Sequence, residues 1–306
     1  MNAWSSRLGR AVTNFWPGRS DQEGDSDPSI NEAPAAYTLQ TCMATDIGCV
    51  RAVNQDAIAF VSPGDHEERN RRGVLAVLAD GMGGHHGGEV ASKLAVETIC
   101  RHYFAAHDED PERAIELALR KANAAIFRAA EADPALSGMG TTATALVLVG
   151  RRVCFVHVGD SRLYRCSPGQ VRQLSKDDTL VQQMVNDGLI TPERARHHPE
   201  RSVLLRSLGT RPELAVSAQR CDRPEVGDTF VLCSDGLYES IEPRELAQVV
   251  ESLDPQAACR RLIELARERD GSDNISVGII AVRPAAAGEK RVPVTREMLV
   301  GPVEGK

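Results

Sequence analysis

Residues 141–174 read TTATALVLVGRRVCFVHVGDSRLYRCSPGQVRQL, and their pattern decides the fold. Apolar, β-branched runs near 141–149, 152–159, 162–166 and 171–174 follow one another with very short connections. Such connections join antiparallel neighbours, because a parallel crossover needs about a dozen residues or more. Upstream, the same reading predicts strands near 37–44, 56–61 and 74–79 and helices near 88–105 and 111–131. The second helix begins on Pro111 and repeats apolar residues at 115, 118, 119, 122 and 126. Downstream it predicts a helical stretch over 177–187, a polar loop over 188–203, strands near 214–220 and 228–233, helices near 243–251 and 255–269, and a last strand at 275–281. Strands in blocks and helices in blocks give an α+β class rather than a parallel βαβ fold.

Four apolar runs meet an aspartate flanked by small turn residues. Val74 to Ala79 leads into Asp80-Gly81, and Val153 to Val158 into Gly159-Asp160-Ser161. Phe230 to Cys233 leads into Ser234-Asp235-Gly236, while Asp273-Asn274 precedes Ile275-Ser276-Val277. One such Asp is ordinarily a turn-former that bonds its own backbone. Four at strand rims would repel one another unless a cation held them, and an all-oxygen cluster suits Mg2+ or Mn2+.

Composition narrows the class. With 42% hydrophobic and 26% charged residues in 306, the chain reads as an ordinary globular protein. A net charge of −7 argues against non-specific nucleic-acid binding. The eight cysteines are scattered, form no C-x-x-C, and lie partly inside apolar strands, as Cys154 and Cys233 do. They read as reduced thiols of a cytoplasmic protein without a signal peptide, and no apolar run is long enough to span a bilayer.

Three segments divide the chain. Residues 37–283 form the core, and 284–306 read as a flexible Ala-, Pro- and Lys-rich tail. Residues 1–36 form an N-terminal extension in which Trp4, Leu8, Val12, Phe15 and Trp16 fall on one helical stripe beside Arg7, Arg10 and Arg19. An acidic linker follows from Asp21 to Asp27. A basic amphipathic helix of this kind suits a membrane surface or a partner's groove; the alternative is an unstructured extension.

In order along the chain stand Arg51-Ala52-Val53-Asn54-Gln55-Asp56, Asp80-Gly81-Met82-Gly83-Gly84-His85, Gly140-Thr141-Thr142-Ala143, Gly159-Asp160-Ser161-Arg162, Ser234-Asp235-Gly236-Leu237 and Asp273-Asn274. This series, over about 38–282, resembles the metal-dependent protein phosphatase 2C family, its bacterial branch most. The resemblance implies a four-layer sandwich of two antiparallel sheets flanked by helices, with a metal cluster in a cleft at one end. By motif position Asp80 would bridge two Mn2+ or Mg2+ ions, the Gly81 carbonyl would ligate the second, and Asp235 and Asp273 would complete the first. Asp160 would hold a weaker third ion together with Asp235. Asp56 would orient metal-bound water, and Arg51 would clamp the phosphate through its planar fork. The plain alternative for Arg51 is a surface salt bridge.

Two departures stand out. Met82 occupies the place where eukaryotic relatives carry a histidine, as in bacterial members, which leaves the general acid unassigned. Gln55 stands where many members have Glu. His85 and His86, in a glycine-rich turn, read as solvated or helix-entry residues. By the same resemblance the segment 176–208 would be the flap beside the cleft, with Leu180, Val181, Met184 and Val185 expected to pack it down and 191–201 expected to move and to contact protein substrate.

The implied function is hydrolysis of phosphoserine and phosphothreonine on proteins by a metal-bridging water, reversing a bacterial Ser/Thr kinase, in a monomer. The alternative is a catalytically weak phosphatase-fold regulatory module, which would ordinarily have lost a metal Asp. A metal-dependent nuclease is disfavoured by the acidic charge.

Overall fold

A computed structural model of the chain describes residues 37–83, 86–108 and 110–285. In it β1 (Tyr37–Asp46) pairs antiparallel with β11 (Ile275–Pro284) along its whole length, from Tyr37↔Pro284 to Asp46↔Ile275. β11 also pairs with β10 (Thr229–Cys233), which continues into β7 (Arg162–Ser167) and β8 (Gln170–Gln173). The second sheet runs β2 (Asp56–Val61), β3 (Val74–Met82), β5 (Ala143–Val149), β6 (Arg152–Val158) and β9 (Gln219–Cys221), with the short β4 (Gly140–Thr141) pairing β3. Every pairing is antiparallel, as the short connections require.

Side-chain alternation on β3 shows how the layers stack. Leu75, Val77 and Ala79 point to a core shared with α2 (Gly87–Phe104) and α3 (Pro111–Ala132). Val74, Ala76 and Leu78 point the other way, into the space between the sheets beside Ile58, Phe230 and Ile280. A strand covered on both faces reads as a continuous apolar run, which is why Val74 to Ala79 carries no polar residue. On the far side, α7 (Pro243–Ser252) and α8 (Pro255–Arg269) bury Leu246, Leu262 and Ala266 against Val231 and Val277. The result is the expected helix–sheet–sheet–helix sandwich.

Several boundaries differ from expectation for local reasons. The helix expected over 177–187 is only α4 (Leu180–Asn186), because Asp177 and Asp178 are engaged elsewhere and Thr179 caps the helix through Gln182 N at 3.2 Å. Of its four apolar residues, Val181 is buried and the others are half-buried. The polar loop after it contains α5 (Pro192–Arg196), capped by Thr191. The strand expected over 214–220 is confined to β9. Two further short α-helices lie outside the expected elements: α1 (His66–Arg72), whose Asp65 accepts from Glu68 N at 2.8 Å, and α6 (Asp235–Tyr238). β11 runs through Pro284, so the tail begins later than position 284. None of the eight cysteines is in a disulfide. No helix among the described residues is long and apolar enough to cross a membrane. The amphipathic stripe in residues 1–36, His85, and the tail beyond 285 lie outside the described residues.

Candidate metal centre

The sheet register places Asp56, the first residue of β2, directly opposite Asp80 on β3. Asp80 and Gly81 lie inside β3, at the point where the strand leaves β5 for β4, rather than in a turn beyond it. In the other sheet, Ser234 N donates to Ser276 O at 3.1 Å, which extends the β10–β11 register to the end where Asp235 opens α6 and Asp273 leads into β11. Asp160 sits on the turn that carries the chain from β6 in one sheet to β7 in the other. The five carboxylates thus come from both sheets.

Side-chain amides lock the loops together. Asn274 accepts from Gln55 N at 2.8 Å and donates to the carbonyls of Ile47 and Val53 at 2.9 and 3.1 Å. Asn54 accepts from Asp56 N at 3.1 Å and donates to Thr45 Oγ1 at 2.8 Å. Both asparagines stand within the motifs read from the sequence, yet their bracing role was not read there. Gly81 has a steric reason to be glycine, since a Cβ would overlap the Gly88 carbonyl oxygen. Gly236 is held likewise by the Asn274 carbonyl.

The electrostatics are those of like charges crowded together out of water. Burial first, then the charges of Asp56, Asp235, Asp160 and Asp273, push the Asp80 carboxyl well above its ordinary range. Burial, followed by Asp160, Asp273 and Asp56, does the same to Asp235. Burial raises Asp56 to about 6, and burial with Asp177 raises Asp160 to about 7. Both oxygens of Asp56 are buried without a hydrogen-bond partner among the described residues. The hydroxyls of Ser234 and Ser276 lie near it and favour its charged form, but neither bonds it with normal geometry. Ser276 donates to Thr45 Oγ1 at 2.7 Å and Ser234 to the Asn274 carbonyl at 3.5 Å.

Orphaned carboxylate oxygens amid like charges fit a divalent cation with hard oxygen ligands. Among the described residues no three acidic, His or Cys side chains already converge tightly enough to grip an ion. Arg51, half-exposed, bonds Asp273 Oδ2 through Nη2 at 2.6 Å, so the salt-bridge alternative is the contact seen. A shallow surface hollow lined by Cys49, Glu264, Arg267 and Glu268 contributes none of the cluster's residues.

Behind Asp160, Arg162 grips Asp177 at 2.8 Å and stacks 3.6 Å from the centre of the Tyr238 ring. The segment after it is strapped down by Arg196–Glu242 at 2.8 Å and Arg201–Glu239 at 3.0 Å. His86 is exposed and lies 3.7 Å from a Glu89 carboxylate oxygen.

The protein phosphatase 2C family model matches residues 50–267. The serine/threonine protein phosphatase PstP of Mycobacterium tuberculosis is 36% identical over 282 residues, which cover 89% of this chain and 50% of that protein. This chain therefore spans half the length of that relative. The serine/threonine phosphatase stp of Listeria monocytogenes is 33% identical over 77% of this chain and 93% of its own. The solved catalytic domain of a PstP phosphatase in complex with two manganese ions superposes with a TM-score of 0.70 at 35% identity, covering 81% of this chain and 99% of that one. The chain belongs to the protein phosphatase 2C family.

One prediction follows from the raised carboxyls. Asp56 and Asp160 have folded values near 6 and 7 against an ordinary 3.8, so between about pH 4 and 7 the metal-free folded state binds more protons than the unfolded chain. Their destabilising effect is absent at low pH and grows as pH rises through those values. Mn2+ should therefore raise the melting temperature, relative to EDTA, far more at pH 8 than at pH 5. An equal or larger gain at pH 5 would contradict the assignment.

Proposed function

We propose that the chain removes phosphate from phosphoserine and phosphothreonine in proteins, with Asp80, Gly81, Asp235 and Asp273 holding two Mn2+ or Mg2+ ions. The observation that carries this reading is the buried carboxylate community around Asp80, with the partnerless oxygens of Asp56 beside it. When bound, the ions supply an acidified water and neutralise the phosphoryl oxygens. Asp160, with Asp235, would take a weaker third ion. Asp56 accepts hydrogen bonds from water in the cluster and orients it, which its free oxygens allow. Arg51 gives up Asp273 once that carboxylate is otherwise neutralised, and its fork is then available to two phosphoryl oxygens. Substrates would be the targets of a cognate Ser/Thr kinase. Residues 1–36 would contact a membrane or partner, on the strength of their sequence alone.

The direct test is phosphate release from a phosphothreonine peptide, expected with Mn2+ and lost with EDTA. Arg51→Ala refines it. Because the clamp grips phosphate in ground and transition states alike, KM should rise by about 10- to 100-fold with kcat nearly unchanged. A fall confined to kcat would remove Arg51 from phosphate binding.

A further inference from the structure

We infer that Thr142 is a positioning residue that fixes Asp80 relative to Asp160 and so governs the cation that Asp160 helps to hold; this rests on the metal-site reading above. The register of β3 with β5 (Leu78↔Thr144) and with β4 (Gly81↔Thr141) sets Asp80 opposite Thr142. In a regular antiparallel pair the two residues would exchange both main-chain hydrogen bonds. Here Thr142 N donates to Asp80 O at 2.8 Å, but Asp80 N donates at 2.9 Å to the Thr142 side-chain oxygen instead of its carbonyl. Thr142 has put its hydroxyl into the ladder.

That hydroxyl also hydrogen-bonds Ser161 Oγ. Since Thr142 Oγ1 accepts from Asp80 N, its own proton is available to Ser161. The methyl of Thr142 meanwhile packs on Gly159, where φ is +105° and a Cβ would stand 2.6 Å from Thr142 Cγ2. One buried side chain, 2% exposed, therefore touches the main chain of Asp80 and both neighbours of Asp160. The turn is held from its other sides as well. Thr144 Oγ1 donates to Ser161 O at 3.1 Å, and Gly159 N donates to Asp178 Oδ2 at 3.1 Å. With the turn pinned, the Thr142 hydroxyl is the direct link that carries the position of Asp80 to it. Groups behind first ligands typically alter metal affinity by about 10- to 100-fold.

The test counts Mn2+ bound to the full chain by electron paramagnetic resonance, in wild type, Asp80→Asn, Thr142→Val and Thr142→Ser. Val keeps the shape without the hydroxyl; Ser keeps the hydroxyl without the methyl. Circular dichroism confirms that each variant is folded. We expect Thr142→Val to weaken the weakest-bound Mn2+ about tenfold while the tighter ions stay, and Thr142→Ser to restore most of that loss. If Asp80→Asn loses Mn2+ but Thr142→Val binds it like wild type, the positioning role is overturned and the metal site stands. If Val and Ser weaken the ion equally, the hydroxyl is not the link and the inference is overturned. If Asp80→Asn binds Mn2+ unchanged, the metal-site reading fails and this inference with it.

Discussion

Asp80→Asn lowers kcat/KM for a phosphothreonine peptide by at least about a thousandfold in Mn2+, equivalent to about 4 kcal/mol of lost charge stabilisation. The loss is large because Asp80 is the carboxylate whose charge is felt beside Asp56, Asp160, Asp235 and Asp273 together. Asn has the same shape and leaves the main-chain bonds to Thr141 and Thr142 intact. The variant should therefore fold, and in the metal-free state should melt no lower than wild type, since one mutually repelling charge has gone. Substantial Mn2+-dependent turnover by a folded Asp80→Asn protein would sink the site assignment.

Gly81→Ala should injure stability and activity together. Its Cβ would overlap the Gly88 carbonyl oxygen and crowd the Gln55 carbonyl at 2.6 Å, and both are main-chain atoms that cannot swing aside. Overpacking of this kind costs about 3 kcal/mol, or about 6–12 °C in melting temperature for a domain of this size. Because Gly81 adjoins Asp80 and donates to Gln55 O at 3.0 Å, the shift would also displace the cluster and cost about a hundredfold in rate. Gly64→Ala is the matched control. Nothing lies within 4 Å of a Cβ there, so its melting temperature should barely move. Similar melting by the two variants would refute the close-approach argument.

The antiparallel sandwich was legible because its strands announce themselves. Runs such as Val74 to Ala79 are apolar on both faces, and the connections from 141 to 174 are too short for crossovers. The acidic residues were legible for the same reason, each standing next to an apolar run with glycine or serine beside it, although Asp80 proves to lie inside its strand. What stayed hidden depends on partners distant in sequence. Asp177 and Asp178 look like a helix start until Arg162 and Gly159 claim them from another loop. A surface salt bridge is one of the two roles the sequence allows Arg51, but nothing local says that its partner is Asp273. Asn54, Asn274 and Thr142 sat in plain view within motif strings, but bracing is a three-dimensional property. α1 could have been found, since Asp65 followed three residues later by Glu68 is a helix-start signature.

The union of β1 with β11 has a bearing on biosynthesis. The ribosome delivers Tyr37 early and Pro284 more than two hundred residues later, and β11 must slide between β1 and β10 to complete the first sheet. Until then β1 has no neighbour in that sheet, so nascent chains expose a long unpaired strand edge that invites chaperone capture or aggregation. Pairings this remote also make for slow folding. Asp273 emerges just ahead of β11, so the acidic cluster cannot be whole on a chain interrupted before that strand. A polypeptide stalled or cleaved there would carry Arg51, Asp56, Asp80, Asp160 and Asp235 and still be unable to assemble the centre.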